Sequence, residues 1–236
     1  MVVCKKKDGE ESDGKTGEEG ENWIWTAIET KTKLILGYVI GARTFEFANL
    51  IVGKVAKCME GQKPVFTSDE LSCYKQALLN IFGEWRRIAP TGKPGRPKKP
   101  VLEPSRDLLY GTVKKTRKKG VVVKVERNVV FGSDELIADG LAGGRSLTIN
   151  TSYIERSNLD WRIWDAHLSR KTLCFAKALE YLKAKFAICV AFYNFCRPHS
   201  TLTRSNGNIP TTPSQEARVV DCIWSTADLL SFTICQ

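Results

Sequence analysis

Lys63-Pro64-Val65-Phe66-Thr67-Ser68-Asp69 decides how the rest of the chain is read. Val65, Phe66 and Thr67 favour a pleated strand, which delivers Asp69 to its carboxyl end. Leu71, Tyr74, Leu78, Ile81 and Phe82 then recur at helical spacing on one side of a following helix. Upstream, Asn22-Trp23-Ile24-Trp25-Thr26-Ala27-Ile28 is β-rich, Glu29-Thr30-Lys31-Thr32-Lys33 is a polar turn, and Leu34-Ile35-Leu36-Gly37-Tyr38-Val39-Ile40 completes a hairpin. Its near-continuous apolar character predicts a central sheet covered on both faces. Gly41 ends the hairpin, and Thr44 can cap a helix running through Phe47, Leu50, Ile51, Val55 and Cys58.

The pattern changes at Trp85. Thr91-Gly92-Lys93-Pro94-Gly95-Arg96-Pro97-Lys98-Lys99-Pro100 cannot be helix, and its prolines favour an extended, exposed track. Leu108 to Lys115 and Val121 to Phe131 read as two strands around the basic turn Thr116-Arg117-Lys118-Lys119-Gly120. That predicts an inserted β-hairpin outside the central sheet, followed by a return loop from Leu136 to Gly144. The last third is helical. Ile154, Trp161, Trp164 and Leu168 form one stripe over Tyr153 to Leu168, and Phe175, Leu179, Leu182, Phe186, Cys189 and Tyr193 form another over Thr172 to Cys196. Arg197-Pro198-His199 stops the second helix, Thr211-Thr212-Pro213-Ser214 is a turn or helix start, and the tail from Asp221 is short and amphipathic.

With 236 residues, 42% of them hydrophobic, the chain can bury a substantial core, and one domain with an insertion or tails fits better than two equal domains. The net charge of +10 is concentrated. Arg86 to Arg127 holds fourteen Lys and Arg against Glu103, Asp107 and Glu126, leaving the rest close to neutral. Such a block suits phosphate-backbone contact, with membrane surfaces, acidic proteins or mere solvation as competing explanations. Cys4, Cys58, Cys73, Cys174, Cys189, Cys196, Cys222 and Cys235 form no Cys-x-x-Cys pair. Several fall on apolar helix faces and are expected as small core residues, in a reducing cytoplasm. The first twenty residues are too polar for a signal peptide, and no apolar run reaches membrane-spanning length.

Ser152-Tyr153-Ile154-Glu155-Arg156-Ser157-Asn158-Leu159 places a glutamate beside an arginine and an asparagine on a helix. Taken in order, Trp23 to Ile28 with Gly41-Ala42-Arg43-Thr44, Thr67-Ser68-Asp69, Thr151 to Leu159, and Tyr193-Asn194-Phe195-Cys196-Arg197-Pro198-His199-Ser200-Thr201-Leu202 resemble the phrases of bacterial insertion-sequence DDE transposases of the IS-one type. The resemblance spans about residues 1 to 220. It implies an α/β fold, a ribonuclease-H-like mixed sheet flanked by helices. Residues 1–84 would form the front half of that core, 85–147 the basic insertion, 148–220 the helical back half and 221–236 a tail.

The resemblance further implies metal-dependent cleavage and joining of DNA strands. Such chemistry uses two Mg²⁺ or Mn²⁺ ions about 3.5–4 Å apart to activate an attacking oxygen and stabilise a leaving one. Hard cations require oxygen donors. Asp69 and Glu155 match the second and third acids of the family site, with Arg156, Asn158 and His199 as supporting residues. Taken singly, Asp69 also fits a helix N-cap, Glu155 a surface carboxylate paired with arginines, and His199 a helix C-terminal cap. The family's first acid is expected a few residues before Val2-Val3-Cys4, a position the chain lacks, and Asp8, Asp13 and Glu29 are poor substitutes. Weakened metal binding and impaired cleavage are therefore expected.

Lys93, Arg96, Lys98, Lys99, Lys114, Lys115, Arg117, Lys118 and Lys119 are the expected DNA contacts, to transposon ends and target DNA. Pro94-Gly95-Arg96-Pro97-Lys98 resembles an AT-hook core without its preceding arginine, and a Pro/Lys linker fits it equally. His167 is expected at the surface, Trp161 and Trp164 in the core. Self-association follows from the family's action on paired ends, with no membrane partner. The alternative reading is a noncatalytic DNA-binding or inhibitory remnant. A nuclease acting on RNA hybrids fits the basic hairpin and the Tyr193 to His199 phrase less well.

Overall fold

Every residue of Trp23-Ile24-Trp25-Thr26-Ala27-Ile28 is buried, as a strand covered on both faces requires. In the computed structural model, this strand, β2 (Trp23–Ile28), pairs antiparallel with β3 (Ile35–Gly41), from Trp23↔Gly41 to Ala27↔Gly37, and a bulge precedes the pair Ile28↔Ile35. With β1 (Val2–Val3) they form a three-stranded sheet in the order β1-β2-β3. The structure describes residues 2–3, 22–59, 63–89, 98–142, 144, 146–169, 173–174 and 176–232. Asp8, Asp13, Cys4, Cys235, Lys93, Arg96, Thr172 and Phe175 lie outside the described residues.

The architecture is mixed α/β with open sheets, and contacts gather into two compact units, Ala42–Thr151 with Met1–Val2, and Val3–Gly41 with Ser152–Gln236. In the first unit, α1 (Phe45–Lys57) packs on α2 (Ser72–Phe82). Between them in sequence lies β4 (Phe66–Asp69). The buried stripe of α1 is Ala48, Ile51, Val52 and Val55. The expected Leu50 and Cys58 are instead exposed, Leu50 lying off this stripe and Cys58 at the C-cap beyond the last helical turn. Thr44 occupies the N-cap position of α1 without a side-chain capping bond.

The basic hairpin departs from its expected place. β7 (Tyr110–Lys118) and β8 (Val121–Phe131) pair antiparallel, but β7 also pairs parallel with β4, from Phe66↔Tyr110 to Asp69↔Val113, giving a sheet in the order β4-β7-β8. The hairpin is therefore continuous with the strand that carries Asp69. Its turn is shorter than the basic run, just Lys119-Gly120 at φ 49° and 82°, the twist-matched geometry that a two-residue hairpin loop favours. β5 (Gly83–Arg86) and β6 (Val101–Pro104) form a separate two-stranded ribbon. The expected return loop contains a helix, α3 (Asp134–Ala142). Its Ile137 joins Val113 and Ile149 in a core cluster bordered by Val65, Leu109, Val129 and Leu141.

In the second unit, α4 (Ser152–Trp164) packs against β2. Trp161 is buried and meets the rings of Trp164, Phe186 and Tyr193 edge-on at 5.3–5.5 Å. α5 (Leu179–Ala191) begins later than the periodicity predicts and gives way to a π-helical turn, Phe192–Cys196. That turn is tied to the sheet by Asn194, whose side chain accepts from Ile35 N at 3.0 Å and donates to Ile35 O at 3.1 Å. α6 (Ser200–Ser205), α7 (Pro213–Glu216) and α8 (Thr226–Ser231) complete the unit, the last two opened by capping boxes at Thr212/Gln215 and Ser225/Asp228. The described cysteines are not fully buried core residues, since Cys58, Cys174 and Cys222 are exposed and Cys73, Cys189 and Cys196 only half-buried. Among the described residues no helix is long and apolar enough to cross a membrane.

Candidate functional site

Asp69 is the last residue of β4 and half-buried, with its Oδ1 atom shielded from solvent. It does not cap α2, whose N-cap is Leu71. Immediately before it, Ser68 Oγ and Tyr110 Oη lie 2.6 Å apart in a buried hydrogen bond, and Ser68 Oγ also donates to Asp69 O at 2.7 Å. Burial pushes the Tyr110 phenol up to about 12, against the Ser68 bond and with help from the negative charge of Asp69. Burial, then Asp69, also holds the Tyr74 phenol well above its ordinary range. Asp69 thus borders two phenols that stay protonated at neutral pH.

β7 leaves β4 where Asp69 meets Val113. The next residue, Lys114, pairs with Glu70 at 3.0 Å across an exposed gap. Beyond it the β7–β8 ribbon carries half-buried Lys115 and exposed Arg117, Lys118 and Lys119. On β8 opposite, Val121, Val122 and Val125 are exposed and pair with Lys118, Arg117 and Lys115. Lys98 and Lys99 are exposed just before β6. Four of the nine predicted DNA contacts, Lys114, Lys115, Arg117 and Lys118, therefore share one sheet with Asp69, and Lys119 lies in the turn of the same hairpin.

Glu155, Arg156, Asn158 and His199 belong to the second unit, Asp69 to the first. Glu155 is exposed in the first turn of α4, where the helix dipole favours a carboxylate. Asn158 points inward, buried, and its Oδ1 finds no hydrogen-bond partner among the described residues. His199 corrects its expected role. It opens α6 rather than closing the preceding helix, with Nδ1 accepting from Thr201 N at 3.3 Å. His167, partly exposed, has Nδ1 2.9 Å from Cys174 O.

Arg156 and His199 meet in a 410 Å³ cleft that the sequence did not announce, together with Lys33, Asp160 and Arg197. Lys33 was legible only as part of a polar turn. It adopts φ 63°, its side chain is 1% exposed, and its Nζ lies 3.4 Å from the centroid of the Tyr153 ring while donating to Thr30 O. Arg197 stacks over Trp164 at 4.4 Å and faces Asp160 at 3.5 Å.

As oxygen donors, Asp69 and Glu155 each suit a hard divalent cation. Among the described residues no group of three His, Cys, Asp or Glu side chains converges to hold a metal. Compared with protein-family models, curated proteins and solved structures, the chain matches none.

Proposed function

We propose that this chain is a DNA-handling core of the DDE transposase type, ribonuclease-H-like in fold, that holds DNA on its β7–β8 ribbon beside Asp69, with Glu155 of the second unit as the other acid the family resemblance names. The observation that carries the reading is the sheet order β4-β7-β8. Asp69 closes the strand from which the basic ribbon departs, so a duplex gripped by Arg117, Lys118 and Lys119 runs from the carboxylate outward. The succession of hairpin β2–β3, helix α1, strand β4, helix α2 and a strand parallel to β4 supports the finer fold.

Lysine and arginine neutralise phosphates and release counterions whatever the base sequence, so the ribbon supplies affinity before specificity. A two-stranded ribbon is also narrow enough to enter a major groove. Bound Mg²⁺ or Mn²⁺ would activate the attacking oxygen and stabilise the leaving one. Asp69 and Glu155 are each candidate ligands to it, and Arg156 and Asn158 would steady the glutamate or a phosphate oxygen. No cleavage step is assigned. A second reading, in which the chain binds DNA, as a copy or with intact transposase, without cutting it, rests on the basic ribbon alone.

Nicking of supercoiled DNA in Mg²⁺ or Mn²⁺, with binding measured in parallel, separates the readings. Nicking lost in both Asp69→Ala and Glu155→Ala supports the catalytic reading. Binding without nicking supports the second. Absence of binding overturns both.

A further inference from the structure

We infer that the cleft of the second unit is a phosphate-binding site, built to hold the phosphate of a nucleotide or of a nucleic-acid strand. Lys33, Arg156 and Arg197 line it against one carboxylate, Asp160, an excess of two positive charges before His199 is counted. Arginine forks match the spacing of phosphate oxygens, and a guanidinium already fixed in place loses little freedom on binding. Arg197 is fixed in this way. The Trp164 ring supports its face and Asp160 takes one edge, which leaves further N–H donors of the fork for a ligand.

His199 adds a donor. Because its Nδ1 accepts the Thr201 N–H, the neutral imidazole carries its proton on Nε2. Lys33 lines the cleft from below, its side chain buried against Tyr153. The volume of 410 Å³ is in the range of small-molecule sites and accommodates a mononucleotide. The assignment stands on residues of the second unit alone and holds whether or not the chain cleaves DNA.

Calorimetric titration of the full chain with inorganic phosphate, deoxyadenosine monophosphate and the dinucleotide d(TpT) tests it. Saturable binding is expected for at least one probe. Arg156→Gln, an exposed substitution that leaves the far-ultraviolet circular dichroism unchanged, weakens it roughly tenfold or more, and Arg156→Lys restores part of the loss. Equal affinity for all probes assigns the cleft to the free anion, whereas preference for the monophosphate or d(TpT) assigns it to a nucleotide or a strand. Replacing Arg117, Lys118 and Lys119 together by Gln leaves this binding intact, so failure of the cleft and failure of the ribbon are seen separately. No saturable binding of any probe, or affinity unchanged in a folded Arg156→Gln variant, overturns the inference.

Discussion

Tyr110 and Ser68 join hydroxyl to hydroxyl at 2.6 Å on neighbouring parallel strands, one residue before Asp69. The bond ties β7 to β4 through side chains where the ladder reaches its functional end, and its burial makes it costly to leave half-made.

Tyr110→Phe is therefore expected to cost about 1 kcal/mol in urea unfolding at neutral pH. The phenol's pKa rises from 10.0 to about 12 in the folded chain. The protonated form is thus favoured by folding. Its contribution is complete below pH 10 and is lost as pH rises through about 12. Stability should fall over that window more steeply in the natural chain than in Tyr110→Phe. Parallel curves for the two proteins would contradict the assignment.

Gly111 is needed for space. An added Cβ would meet Ile149 Cδ1 at 2.5 Å, with Cγ1 and Cγ2 at 3.1 and 3.2 Å. Ile149 sits in the core cluster and cannot swing away freely. Gly111→Ala should cost about 1–3 kcal/mol, and adding Ile149→Val, which removes the nearest methyl, should recover part of it. Thermal melts of the single and double variants check this non-additivity.

Asn194 completes the backbone of β3 at Ile35 with one donor and one acceptor. Asn194→Ala leaves both backbone groups of a buried residue unpaired, and a loss of about 2–4 kcal/mol is expected. Asn194→Asp keeps the acceptor and loses the donor. Amide hydrogen exchange at Ile35 should accelerate in both.

Asp165 is fully buried and its Oδ1 accepts from His167 N at 2.9 Å and Lys185 Nζ at 2.7 Å. Lys185 is raised above its ordinary range, chiefly by that hydrogen bond. Lys185→Met removes the only cation paired with this buried carboxylate among the described residues, leaving it the His167 N–H, and should destabilise the chain by about 2 kcal/mol or more. The double variant with Asp165→Asn should lose less, a sign-reversing cycle measurable by denaturant unfolding.

The β2–β3 hairpin, α1, the strand ending at Asp69, and α4 follow from short-range pattern. The parallel pairing of β7 with β4 was not legible, because a strand's period names its faces and not its neighbour. α3 was hidden by Gly140, which reads as a breaker. The structure uses it for close approach, since a Cβ there would meet Val65 Cγ2 at 2.5 Å. The burial of Lys33 was not legible in its polar turn, because the Tyr153 ring it packs against lies far along the chain. Asp69 and Glu155 were legible as acids at a strand end and a helix start, while the cleft around Arg156 depends on long-range packing.

The salt dependence of duplex-DNA binding, followed by fluorescence anisotropy, tests the central claim most directly. The natural chain should bind with an affinity that falls steeply with salt. Replacing Arg117, Lys118 and Lys119 together by Gln should weaken binding and shallow the logarithmic salt slope by about 2–3, while unfolding transitions stay unchanged. A triple variant that binds duplex DNA with the same affinity and slope would contradict the account, as would a natural chain that does not bind.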